Sequence, residues 1–239
     1  MKVLSIGNSF SQDAQRYLHR LAKQDGVNLK AVNLYIPGCS LQRHYLNMLD
    51  DNVAYDFEFN GEGTGLKVSI RQALVSDDWD VITLQQASPF SGRYETYSPY
   101  IEALAAYVRK YCPHSKILLH QTWAYEEDSQ RLKSLGYASS KEMLSAACDA
   151  YDRAAQAIKA DGIIPSGRAM MRAVEMGIEK IHRDTYHASL GVGRYLLALC
   201  FYKFLTKNEI TGNTFDGFDV PVTEQEREIA IKAVNSVLA

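Results

Sequence analysis

Short apolar runs alternate with longer amphipathic stretches along this chain, and no other feature limits its fold so strongly. The first run is "KVLSI", residues 2–6, closed by Gly7. It is too short for a helix and reads as a buried strand. The stretch "SQDAQRYLHRLAKQDG" follows and puts Ala14, Tyr17, Leu18 and Leu21 on one helical face. Ser11 is its expected N-cap and Gly26 its stop. A second strand, "VNLKAVNLYI", ends in Pro37-Gly38. "VSIRQALVSDDW" is a predicted helix that runs into the third strand, "DVITL". The helix "YIEALAAYVRKYCP" stops at Pro113 before the fourth strand, "SKILLHQTW". A long helix over "SSKEMLSAACDAYDRAAQAIKADG" opens with a capping-box pattern from Ser139 to Glu142. "GIIPSG" is a short fifth strand, and "SLGVGRYLLALCFYKFLTKN" and "TEQEREIAIKAVNSVL" are the closing helices.

Strands that alternate with helices in this way predict an α/β chain with a parallel sheet covered on both faces. The expected architecture is a three-layer α/β/α sandwich of flavodoxin-like type around a five-stranded parallel sheet. A chain of 239 residues suits one large domain, residues 1–239. The segment from Leu41 to Gly65 breaks the rhythm with "YDFEFNGEGTG". It reads as an insertion made of a helix and a β-hairpin.

Net charge is −2, which gives no basic face for a phosphate backbone, so nucleic acid is not an expected partner. Cys39, Cys112, Cys148 and Cys200 are scattered without a CxxC pair and read as reduced thiols. The first residues lack a signal-peptide core, and Lys203 interrupts the most apolar helix. A cytoplasmic protein with no membrane partner is the expectation, unless a leader has been removed.

Ligands of open α/β sheets bind beyond the carboxyl ends of the strands. The first strand delivers Gly7-Asn8-Ser9 there, the second Gly38-Cys39-Ser40, and the third Gln85-Gln86-Ala87-Ser88. The late loop "HRDTYHAS" brings Asp184 and His187. A serine, a histidine, an acid and free backbone donors are the parts for nucleophilic acyl transfer. Ser9 lies at a strand-to-helix junction, where unpaired N–H groups and the helix dipole favour an oxyanion. Asp184 and His187, spaced D-x-x-H, share one loop, so the acid can orient the imidazole that takes the Ser9 proton. Gly38 leaves a backbone N–H free to approach the same oxyanion. Each piece also has a plain reading, as a strand-to-helix turn, a loop histidine with a capping acid, and a Pro-Gly turn.

Together the residues resemble the SGNH, or GDSL-like, hydrolase superfamily. Ser9 in "IGNSFS", Gly38 in "IPGCS", and Asp184 and His187 in "DTYH" match its blocks in order. The resemblance spans nearly the whole chain and looks closest to the DUF4886-like subgroup, with "GNSF" near the start and "LQQ" after the third strand. It implies an α/β/α fold and a serine esterase or deacylase with a Ser9–His187–Asp184 triad, often acting on acylated carbohydrate. No cofactor is implied. The third block departs from the usual Gly-x-Asn: strict register puts Ala87 at the amide position. Gln86 or Gln85 would then supply the oxyanion-hole donor.

Trp123 and Tyr125 follow the fourth strand and either stack on a sugar or close the core edge. Arg43 and His44 follow the Gly38 loop and either contact substrate or begin a solvated helix. Cys39 reads as a small packed residue. Two rival functions stand beside the esterase: a non-catalytic carbohydrate-binding module on the same fold, motivated by "LQQAS", and a metal-dependent hydrolase using the His182–His187 loop. The spacing lacks the helical histidine pair of a zinc site, so no metal ligand is assigned.

Overall fold

The computed structural model describes residues 1–238. Seven strands form one sheet in the order β4-β3-β2-β1-β5-β6-β7. The strands are β1 (Lys2–Gly7), β2 (Lys30–Tyr35), β3 (Tyr55–Phe59), β4 (Glu62–Val68), β5 (Val81–Leu84), β6 (Lys116–His120) and β7 (Gly162–Ile164). The five parallel strands expected from the sequence are β2, β1, β5, β6 and β7. The other two come from the insertion, whose hairpin pairs antiparallel with β2. The sheet is therefore larger than expected. The hairpin covers what would be the open edge of β2 and leaves β4, with Glu62 and Lys67 exposed, as the new edge.

Side chains alternate across each strand, and the core splits accordingly. Val3, Ala31, Val81 and Leu118 face α1 (Ser9–Gln15), α2 (Leu18–Gln24), α8 (Ser166–Glu175), α9 (Val192–Thr206) and α10 (Glu224–Val237). Leu4, Ile6, Val32, Leu34, Ile82 and Leu119 face α3 (Leu41–Leu49), α4 (Ile70–Leu74), α5 (Tyr100–Tyr111) and α7 (Ser140–Ile158). This is the three-layer sandwich. A short helix α6 (Gln130–Ser134) and α8 have no counterpart in the sequence reading. Among the described residues no helix is long and apolar enough to cross a membrane.

The first helix differs from expectation at its start. Asn8, not Ser11, is the N-cap: its backbone is extended and its side chain accepts from Phe10 N. Ser11 instead completes a capping box from inside the helix. The expected single helix also breaks into α1 and α2 at Arg16–Tyr17. β1 lies between β2 and β5, so the chain order reverses there. That reversal opens a crevice beyond the carboxyl end of β1.

Candidate active site

The turn after β1 is built by three residues. Gly7 is required by crowding: a Cβ at this position would lie 2.1 Å from Ser11 Oγ. Asn8 N donates to Ser11 Oγ at 3.0 Å, and Asn8 Oδ1 accepts from Phe10 N at 3.0 Å. Ser9 is thus the first residue of α1, half-buried at the crevice.

A short loop brings Asp184 and His187 to Ser9. Its neck is pinched by the antiparallel pairing of His182 with Ala188, and Thr185 O accepts from Glu126 N at 2.7 Å. His187 Nε2 lies 2.8 Å from Ser9 Oγ, and His187 Nδ1 lies 2.7 Å from Asp184 Oδ2. Asp184 Oδ1 also accepts from His187 N at 2.9 Å. An ionised carboxylate only accepts, so Nδ1 carries the proton and Nε2 is left to accept from the serine hydroxyl. Burial alone would raise the Asp184 carboxyl, but hydrogen bonds from the His187 ring and backbone hold it below the ordinary carboxylate value. Tyr186 packs on the His187 ring at 3.9 Å between centroids, and Phe10 meets that ring edge-on at 5.9 Å.

Gly38 adopts a left-handed φ of +59°, open to glycine without strain. Among the described residues neither Ser9 N–H nor Gly38 N–H has a protein acceptor. Asn8 Nδ2 donates to Cys39 O at 3.1 Å, which ties the two donor-bearing turns together.

The two glutamines serve inside the protein. Gln85 Nε2 donates to Asn8 Oδ1 at 2.7 Å, and its Oε1 meets His120 Nδ1 at 2.8 Å. His120 Nε2 lies 3.0 Å from Ser166 Oγ, and burial pulls the ring down to about 3, so it stays neutral. Gln86 Oε1 accepts from Leu41 N at 3.0 Å, and its Nε2 donates to Thr96 O at 3.0 Å and to Thr96 Oγ1 at 3.1 Å. Its amide is therefore spent on the walls of the crevice.

Of the sequence candidates for substrate contact, Trp123, Tyr125 and His44 are interior residues and Arg43 is exposed. Trp123 is 1% exposed, stacks parallel on Phe10 at 3.9 Å and donates to Tyr186 O at 2.7 Å. It supports the histidine loop from beneath and has no face for a sugar. Tyr125 is buried too, with its hydroxyl 2.9 Å from Ser88 Oγ. His44 is wholly buried, 2.9 Å from Tyr55 OH, and burial with the nearby Arg43 charge lowers it to about 3. Arg43 is exposed in the first turn of α3. Cys39 is buried, with its thiol pushed up to about 12, which makes it a poor nucleophile. His182 Nε2 meets Ala124 O at 3.1 Å, and among the described residues no three His, Cys, Asp or Glu side chains gather as a metal site requires.

Sequence reasoning missed an ion cluster beside the Ser9 helix and the His187 loop. Asp13, wholly buried on α1, accepts from Arg183 Nη1 at 2.9 Å and from Arg194 Nε at 2.8 Å. Arg194 and Arg16 both continue to Asp219. The signal was present: Asp13 falls on the same helical stripe as Tyr17 and Leu21, where a charge is unexpected.

The central sheet flanked by helices on both faces matches the SGNH hydrolase fold. A protein from Slackia heliotrinireducens, provisionally described as an SGNH hydrolase, superposes with a TM-score of 0.62 at 22% identity, covering 85% of this chain and 97% of that one. The acetylxylan esterase Axe2 from Geobacillus stearothermophilus superposes at 0.50 with 14% identity, over 84% of this chain and 92% of its own. A DUF4886 family protein from Bacteroides uniformis superposes at 0.90 with 35% identity, over 100% of this chain and 95% of its own. The chain belongs to the DUF4886 family, described as a domain of unknown function, which matches residues 2–236. No curated protein matches the chain.

Proposed function

We propose that this chain is a serine hydrolase that cleaves a short acyl ester, an acetyl group on a carbohydrate or similar alcohol. The observation that carries the reading is the continuous hydrogen-bond chain Asp184–His187–Ser9 beside two unpaired backbone donors. Ser9 Oγ attacks the carbonyl carbon while His187 Nε2 takes its proton. Asp184 fixes the tautomer and stabilises the imidazolium. The carbonyl oxygen becomes an oxyanion held by Ser9 N–H and Gly38 N–H, assisted by the N-terminal turn of α1. Collapse breaks the ester bond, and His187 returns the proton to the leaving alcohol. Water, activated by the same histidine, then frees the acid from Ser9.

Gln85 acts behind this hole by holding Asn8, and Gln86 by holding the Leu41 and Thr96 backbone. With both amides so engaged, two backbone donors carry the oxyanion. The acetylxylan esterase activity named for Axe2 agrees with an acetyl ester.

The test is hydrolysis of p-nitrophenyl acetate, butyrate and octanoate by wild type and Ser9→Ala. Turnover that falls with chain length and vanishes in the variant is expected. A folded variant with undiminished turnover would remove Ser9 from the mechanism. A wild type inert on every ester, and unlabelled by a serine-directed phosphonate, would favour the binding module.

A further inference from the structure

Arg131 has a charge that no acid answers. Its guanidinium lies over the Tyr186 ring, 4.0 Å from the centroid, and Tyr186 packs on His187. The acids around it are committed elsewhere. Glu126 pairs with Lys180 at 2.7 Å, Glu127 accepts from Ser140 N at 2.9 Å, and Asp128 lies 3.8 Å from Lys133. Asp184 holds His187. Among the described residues no carboxylate comes within ion-pair distance of Arg131, whereas Arg16, Arg183 and Arg194 each meet one.

This guanidinium lines an open cavity of about 690 Å³. Pro89, Leu135 and Tyr125 form its apolar walls, and Thr185, between Asp184 and His187, forms its border with the triad loop. The volume suits a ring-sized group. Arg131 also lies close enough to Tyr125 to interact with its hydroxyl, and the guanidinium fork has five N–H donors, more than one hydroxyl can use, so donors are left to match a carboxylate.

We propose that this cavity is the leaving-group subsite and that, among the alcohols the esterase reading leaves open, it selects one carrying a carboxylate on a flat, largely apolar body over a neutral sugar. The side assignment rests on the serine-hydrolase reading. The histidine that protonates the leaving oxygen must lie on the leaving-group side, and the cavity borders the histidine loop at Thr185, with Arg131 reaching toward His187 over the Tyr186 ring. Arg131 then reads the carboxylate while the walls cover the ring.

A matched pair of esters tests this: 4-acetoxybenzoate and 4-acetoxybenzamide, alike in shape and different in charge. The preference is the ratio of their kcat/KM values, and intrinsic reactivity cancels when wild type is compared with Arg131→Met. The preference for the carboxylate is expected to fall roughly tenfold in the variant, carried mainly by KM. An unchanged preference would overturn the proposal. Calorimetric binding of 4-hydroxybenzoate to Ser9→Ala, with and without Arg131→Met, gives a readout free of turnover. Binding that requires Arg131 is expected. No binding, or binding indifferent to Arg131→Met, would overturn the subsite. Arg131-dependent binding in a protein whose wild type hydrolyses no ester would keep the subsite and remove the serine reading. Serine-dependent turnover with a preference unmoved by Arg131→Met would do the reverse.

Discussion

The wholly buried Asp13 and the partly exposed Arg183 form an ion pair that joins the helix carrying Ser9 to the loop carrying His187. Arg183 Nη1 reaches both carboxylate oxygens at 2.9 Å and also donates to Ala188 O at the neck of the loop. Asp13 lies one helical turn beyond Ser9, and Arg183 precedes Asp184. Substituting Asp13→Asn leaves Arg183 and Arg194 facing a neutral amide. Because Arg183 reaches solvent and Arg194 keeps Asp219, the cost is about 1–3 kcal/mol, below that of a fully buried pair. A lower Tm and a lower kcat at nearly unchanged KM are expected, from calorimetry and steady-state rates. Full kcat in the variant would separate the clamp from the triad.

Gly7→Ala puts a methyl group against Ser11 Oγ. The capping box must open or the turn must shift, at a cost of about 1–3 kcal/mol. Urea unfolding is expected to give a lower midpoint, and labelling of Ser9 by a phosphonate is expected to slow. Labelling at the wild-type rate would mean that the turn absorbs the methyl.

Gln86→Ala separates two roles. As a wall residue, Gln86 leaves Leu41 N and Thr96 O unpaired when truncated, which lowers stability by about 1–3 kcal/mol. As an oxyanion donor it would lose about 10²–10³ in kcat with little change in Tm. The first pattern is expected, and the second would return Gln86 to the oxyanion hole.

Stability falls as the solution becomes acidic, and buried histidines set the window. Burial lowers His44 and His120 to about 3 and His182 to about 4. An unfolded histidine titrates near ~6.5, so below that pH the unfolded chain binds protons that the folded chain refuses. Their stabilisation is complete above ~6.5 and drains as pH falls toward the folded values, by about 1 kcal/mol per pH unit for each ring. Urea unfolding at neutral and mildly acidic pH measures this. A free energy of unfolding that does not change between the two would contradict it.

Much of this site could be read locally. Ser9 and the D-x-x-H loop follow from an apolar run ending in Gly7 and from two polar residues on one short turn. The alternation of strands and helices was equally legible. The strand pairing of the insertion was not, because the period of "YDFEF" says that a strand exists but not which edge it joins. The direction of the Gln85 and Gln86 amides was hidden for a related reason: their partners Asn8, Thr96 and His120 are set by tertiary contacts. Trp123 looked like a platform because aromatic residues at a strand end serve both surface and core. Helix α8 follows β7 across Pro165 with Ala169, Met170 and Ala173 as its buried apolar stripe, a faint pattern beside two arginines.

Ser9 and His187 are 178 residues apart in sequence. During synthesis the serine therefore leaves the ribosome long before its base exists. A nascent chain can finish β1 and α1 and still present only an ordinary hydroxyl, because the loop that carries His187 has not been made. On the serine-hydrolase reading, the reactive centre would be assembled only when the chain is nearly complete. A serine-directed phosphonate should accordingly label ribosome-stalled chains extended well past His187 and spare those halted before His182. Equal labelling of both would show that the serine needs no histidine to react.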